Sequence, residues 1–311
     1  MKPRPFSYAA GIIFTAAGAT CWSLGGALVR LTHGIDAWQI VFYRSLTVIV
    51  CMGLWLGFRF GAGLPSRFVH AGVNAVIAGI AIGTAGFAFI ASLFYTTVAQ
   101  SIFMVGFAPF LSAILGLWIL RERIPGITWV AMTVALIGMA VIFAGAGDAG
   151  GAFTGTVLAI FSAFCFSCYA VLLRWGQKTE MSVALLWNAI FLVAASTVVL
   201  LLPTGLRAET GLAQFTIGWA NFAAVFVMGA VQLTLGLILF TVGSRSVPAA
   251  QLSLIALVEP TLSPIWAWLV ADELPPIWTF AGGAVILFAI AIQALFSARG
   301  ERPHAARRRP A

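Results

Sequence analysis

Two ionisable residues of opposite sign stand inside long apolar stretches of this 311-residue chain: Glu259, immediately before Pro260, and Arg44. A charge in hydrocarbon is expensive, so such residues mark functional sites unless something nearby satisfies them. As a working group, Glu259 carries a proton or meets a substrate ammonium. As a structural one, it stays protonated or hydrogen-bonds backbone groups freed by Pro260 and Pro264. Arg44 either attracts a substrate carboxylate, or snorkels and pairs with a helix end. An intramembrane enzyme would need a buried nucleophile beside a base, or a metal cluster. His33, His70 and His304 fall in loops, near a segment end or in the tail, so the expectation is a non-enzyme without a cofactor. Cys21, Cys51, Cys165 and Cys168 all lie in apolar segments with no metal spacing, and read as small packing residues.

Uncharged candidates are spread more widely. Phe14, Gly18, Trp22 and Gly25 share one helical face, and Phe161, Cys165 and Tyr169 share the matching face of a later segment. A cavity with such walls suits an apolar or aromatic molecule, and ordinary helix packing is the alternative. Gln100 and Gln251 open two related segments, Asn188 and Gln232 lie deep in two others, and Tyr43, Thr84 and Tyr95 complete the substrate-binding candidates. Some of these would only join helices, at about 1 kcal/mol or less per hydrogen bond. Glu122 and Glu273 precede Pro125 and Pro276 and read as structural carboxylates at helix N-termini. Most tryptophans, Trp38 among them, fall near segment ends and read as interface anchors.

The elements that position these residues follow from composition. With 61% hydrophobic and 8% charged residues, and a mean hydropathy of +1.04, the chain cannot present the roughly 25% charge of a soluble domain. A spanning helix needs about 20 apolar residues. Ten segments qualify: 8–30, 37–58, 68–97, 101–120, 125–145, 153–174, 181–202, 216–243, 248–270 and 276–297. The fold class is an all-α membrane protein. Residues 8–145 and 153–297 form two five-helix repeats, and 298–311 a basic, unstructured cytoplasmic tail lying against the membrane surface.

The duplication is explicit. Moving 151 places forward lays Gln100, Pro109, Ser112, Glu122 and Pro125 on Gln251, Pro260, Ser263, Glu273 and Pro276; moving 144 lays Cys21, Ser23 and Arg30 on Cys165, Ser167 and Arg174. Five is odd, so the second copy enters the membrane from the opposite side. Inverted repeats around a central cavity are the construction of secondary transporters, and prolines at matching places in both halves, Pro109 and Pro260, point to the cavity and its gating; a kink for packing is the alternative. Most of the seventeen basic residues fall on one side, which places both termini in the cytoplasm. Acidic loop residues Asp36, Asp148, Glu209, Asp272 and Glu273 fall on the other side. The net charge of +8 is thus a topology signal and a contact with lipid, with no nucleic acid implied. Arg far outnumbers Lys, and Ala and Gly are abundant, as in a GC-rich bacterial genome.

With two five-span halves, Pro in the fourth and ninth segments, and Glu-x-x-Pro or Glu-x-Pro leading into the fifth and tenth, the chain resembles the EamA family of the drug/metabolite transporter superfamily. Within it, the pattern is most similar to bacterial aromatic amino-acid exporters. The resemblance covers nearly the whole chain. It implies ten helices around a central cavity in the bacterial inner (plasma) membrane, and export of amino acids or related metabolites. The expected partners are a small-molecule substrate, membrane lipids and, if Glu259 couples transport, protons. Multidrug efflux of lipophilic cations is the alternative function, and duplicated halves with matching prolines favour alternating access over a passive channel.

Overall fold

The computed structural model describes residues 7–145, 153–177, 179–202, 211, 215–271, 274 and 276–306, all helix, turn or loop. In lipid every backbone polar group must be satisfied within the segment, and the apolar runs do this as helices. They are α1 (Tyr8–Ser23), α2 (Gly25–Arg30), α3 (Ala37–Phe60), α4 (Leu64–Ser92), α5 (Val98–Val105), α6 (Ala108–Leu115) and α7 (Gly126–Gly145) in the first repeat. The second holds α8 (Phe153–Trp175), α9 (Val183–Leu201), α10 (Trp219–Val227), α11 (Gly236–Gly243), α12 (Ala249–Ala256), α13 (Val258–Ala271) and α14 (Ile277–Ala306). Ten of the resulting helical stretches are long and apolar enough to cross a membrane, from Tyr8–Arg30 to Ile277–Phe296.

Side chains define several ends. Asp36 accepts from Trp38 N at 2.8 Å and Gln39 N at 2.9 Å while Gln39 Oε1 accepts from Asp36 N at 3.0 Å, a capping box that starts α3. Thr97 Oγ1 accepts from Gln100 N at 3.2 Å and starts α5. That cap shortens the third segment: α4 ends at Ser92, and Tyr95, expected within the span, lies in the turn with 39% of its surface exposed. At its other end α4 begins at Leu64, and Gly72 kinks it with φ 62°, a conformation open to glycine. The last helix continues to Ala306, so residues 298–306, expected as unstructured tail, are helical. Asp148, Lys178, Arg207, Glu209, Asp272, Glu273 and the tail's Arg307, Arg308 and Arg309 lie outside the described residues.

Close pairs of helices make the body: α7 with α14, α4 with α8 and α9, α1 with α11, and α3 with α9. At the α7–α14 crossing a Cβ on Gly138 would stand 2.7 Å from Gly282 O, so only glycine permits this approach. Trp38 is another correction. It is fully buried, with its ring 4.7 Å from Phe87 and 6.0 Å from Phe94, and packs the core instead of anchoring an interface.

Candidate functional site

Both proline-bearing segments are broken. The fourth is interrupted at Gly106–Phe107, with Pro109 in the first turn of α6, where its missing N–H leaves no intrahelical bond unmade. The ninth is interrupted at Leu257, just before Glu259 and Pro260 in the first turn of α13. A third break, at Leu24 between α1 and α2, is bridged from two sides: Trp266 Nε1 donates to Ser23 Oγ at 2.9 Å, and Gln232 Nε2 to Trp22 O at 3.2 Å.

Gln232 sits in a wide π-helical turn, Met228–Leu235, which links α10 to α11 within one span. Thr234 Oγ1 donates to Gly229 O at 2.8 Å, serving a carbonyl that the widened turn frees. A Cβ on Gly229 would stand 2.6 Å from Arg44 O, so α3 lies hard against this turn. The turn also packs on α1, and α13 packs on both α1 and α2. Residues from α1, α3, the π turn and α13 therefore face a common region.

Arg44, on α3, and Glu259, on α13, lie within electrostatic reach of each other. Yet among the described residues no hydrogen bond or ion pair joins them, and Arg44 Nε is buried without a hydrogen-bond partner. Trp22 Nε1 and Gln232 Oε1 are likewise buried and unpartnered. Buried polar groups are normally satisfied. A separated cation and carboxylate, with two further unmet polar atoms on elements packed around them, is an arrangement suited to holding a polar ligand.

The other sequence candidates disperse. Trp22 and Tyr169 come together, but in a filled cluster: the Trp22 ring lies 4.8 Å from Phe240 and 6.3 Å from Phe166, and Tyr169 stacks on Phe240 at 6.2 Å. Tyr169 has no exposed surface, and its hydroxyl is 3.3 Å from Thr241 Oγ1. Sequence reasoning missed Phe166 and Phe240; the three-residue spacing from Phe166 to Tyr169 was the available signal. Phe14 and Thr84 are half-buried in α1 and α4. Asn188 is buried on α9 beside Gly83, with Oδ1 unpartnered. Gln100 donates to Thr156 Oγ1 at 2.7 Å. Its repeat mate Gln251 accepts from Tyr8 OH at 2.6 Å, and Gln293 Nε2 donates to the same hydroxyl at 3.2 Å. Tyr43 donates to Phe215 O and lines a separate open cleft of about 330 Å³ with Phe222 and Trp219.

Glu122 departs from its expected role. It does serve a helix N-terminus, but that of α12: its Oε2 accepts from Ala249 N at 3.3 Å, while Oε1 accepts from Arg174 Nε at 2.7 Å. Arg121, at φ 53°, is the one non-glycine residue with positive φ among those described, and it turns the chain so that Glu122 leaves α6 toward α12.

Two repeats, each with a proline-broken helix, one of them within electrostatic reach of a buried arginine, are the construction of a membrane transporter. A family model for the EamA-like transporter family matches residues 9–144 and 153–295, and the chain belongs to that family. It is 24% identical over 318 residues to an uncharacterized transporter of Vibrio cholerae serotype O1 (strain ATCC 39315 / El Tor Inaba N16961), covering 99% of both chains. Its fold is shared with a protein of known crystal structure at a TM-score of 0.72 and 18% identity, over 94% of this chain and 98% of that one.

Proposed function

We propose that the protein exports amino acids with aromatic or other apolar side chains, and related metabolites, from the cytoplasm by alternating access. The observation that carries this reading is the Arg44–Glu259 pair: opposite charges in mutual reach, without contact. A zwitterion fits between them, its carboxylate on Arg44 and its ammonium on Glu259. Charge-assisted hydrogen bonds of this kind contribute about 1.5–3 kcal/mol each. Gln232 Oε1, buried and unpartnered, adds an acceptor for a further polar contact. In this reading the end carrying Arg59, Arg67, Arg121, Arg174 and Arg245 faces the cytoplasm of a bacterial cell across its inner membrane, an orientation that the basic bias of the loops supports.

The test is uptake of radiolabelled amino acids into proteoliposomes of purified protein, with and without an imposed pH gradient, and with methyl viologen as competitor. Saturable uptake of aromatic or apolar amino acids is expected, and dependence on the gradient would assign Glu259 the coupling proton. Folded protein that moves no amino acid above empty liposomes would refute the reading. Methyl viologen uptake in its place would make Glu259 the receptor for lipophilic cations.

A further inference from the structure

The two repeats share most of their packing, α5 and α6 lying on α8 as α12 and α13 lie on α1, but not all of it. At the basic end α6 packs along α12, and Ser112 Oγ lies 2.5 Å from Ser253 Oγ. A shift of 151 turns α12 into α5 and α6 into α13. Those mates do not pack comparably on each other. Nor does α5 pack on α1, although α12 packs on α8. Every residue of α12 from Ala249 to Ile255 is buried, whereas Gln100, Ile102, Phe103 and Met104 of α5 keep exposed surface. Among the described residues, the basic end is the more closely packed of the two.

At the basic end, ionic contacts join the tips of several spans. Glu122, beyond α6, holds Arg174 at the end of α8 and the first N–H of α12. Arg174 Nη1 also donates to Arg245 O at 2.9 Å, in the turn before α12. Arg245 in turn pairs with Glu180 at 3.3 Å, and Arg59 reaches Glu180 at 3.8 Å. Among these ionic contacts of the described residues, those of Glu122 and Arg174 join the end of the first repeat's fourth span to α12 and the turn that leads into it.

We infer that Glu122 and Arg174 form a latch that holds the N-terminal turn of α12 against the fourth span, and that its release opens the basic end. The carboxylate supplies both interactions at once, an ion pair and a cap on the dipole of α12. The cap on Ala249 N and the bond from Arg174 to Arg245 O are lost if α12 and its leading turn swing away, while the ion pair only holds the two groups in place, so the latch stabilises the closed arrangement and not the open one. That difference is what shifts a two-state equilibrium. The inference rests on the alternating-access reading but not on the identity of the substrate.

The experiment uses full-length protein with Cys21, Cys51, Cys165 and Cys168 replaced by alanine and Ser253→Cys as reporter, in sealed vesicles, without substrate. A membrane-impermeant maleimide is added to each side in turn. Ser253 is 1% exposed beneath the latch, so the parent labels slowly. Glu122→Gln is expected to speed labelling from the basic end by about tenfold, within the 5–150-fold range of typical conformational coupling, and to leave labelling from the other end unchanged. Glu122→Asp, which keeps the charge, stays near the parent. If Glu122→Gln does not yield folded protein, Arg174→Lys is read in its place, because a lysine cannot reproduce the bond from Nε to the carboxylate together with that from Nη1 to Arg245 O. A rate within about twofold of the parent in a folded variant overturns the latch, as does equal acceleration from both sides; the twofold limit is roughly 0.4 kcal/mol. Failure of amino-acid uptake would leave this readout untouched, so the two readings fall separately.

Discussion

The Arg44–Glu259 pair admits a test that separates a substrate site from a structural ion pair. Neither side chain has a hydrogen bond or ion pair to a described residue, and Arg44 Nε has none despite burial. Glu259→Gln and Arg44→Gln therefore remove no direct protein contact, and each removes one charge-assisted bond to a bound zwitterion. At about 1.5–3 kcal/mol per bond, each single variant loses roughly 10–150-fold in apparent affinity. Each single variant also leaves the remaining charge uncompensated in an apolar region, for which about 3 kcal/mol is a lower figure from buried pairs. At this chain length that lowers the melting temperature by roughly 6 °C, taking about 2 °C per kcal/mol. The double variant removes both charges, so its melting temperature returns toward the parent's while its uptake falls below that of either single variant. Thermal unfolding in detergent gives the first quantity, and the concentration dependence of proteoliposome uptake the second. Recovery of uptake together with stability in the double variant would make the pair structural and refute the zwitterion reading.

Other consequences follow from packing. Gly243 sits against α1, where an added Cβ would collide with Thr15 Oγ1 and stand 2.9 Å from Thr15 N; Gly243→Val should destabilise by about 1–3 kcal/mol or more, read as a fall in melting temperature. A variant that melts with the parent would mean that α1 and α11 do not meet closely. Trp22 is buried against Phe240, so Trp22→Ala should cost about 3–5 kcal/mol and Trp22→Phe much less, followed by the same unfolding assay. If Trp22→Ala keeps full stability and loses uptake, the residue is a cavity wall and the packing account fails.

The ten segments were legible because lipid leaves the backbone one solution, and apolar length reveals where it is used. Pro109 and Pro260 singled out the fourth and ninth segments, but as sites of gating or a kink within continuous spans, and the full breaks at Gly106–Phe107 and Leu257 appear only in the structure. The break at Leu24 was not legible, because no proline marks it and its repair comes from Trp266 and Gln232, far along the chain. The π turn at Met228–Leu235 left no sequence mark beyond Gly229 and Thr234, whose five-residue relation appears only in the fold. Glu122 shows the limit most plainly: the nearby Pro125 suggested a local helix end, but the amide it serves is 127 residues away. Local spacing reports local caps, and only packing decides which helix end a long side chain reaches.

The place where the two copies disagree is as informative as the places where they agree. Glu259 and Ala108 are repeat mates, each preceding a proline that begins a half-helix. In the first copy Ser167 Oγ donates to Ala108 O at 2.9 Å, and α6 sits tightly against α8 with Ala108 buried. The mate of Ser167 is Ser23, whose hydroxyl is engaged elsewhere, donating to Thr20 O at 2.6 Å and accepting from Trp266. Trp266 belongs to α13, so α1 and α13 are joined at the corresponding place by a side chain instead of a carbonyl, and Glu259 stays half-buried and within electrostatic reach of Arg44. The common feature, a proline-started half-helix, is present in both halves. The carboxylate stands in only one of them, on the half-helix within electrostatic reach of Arg44.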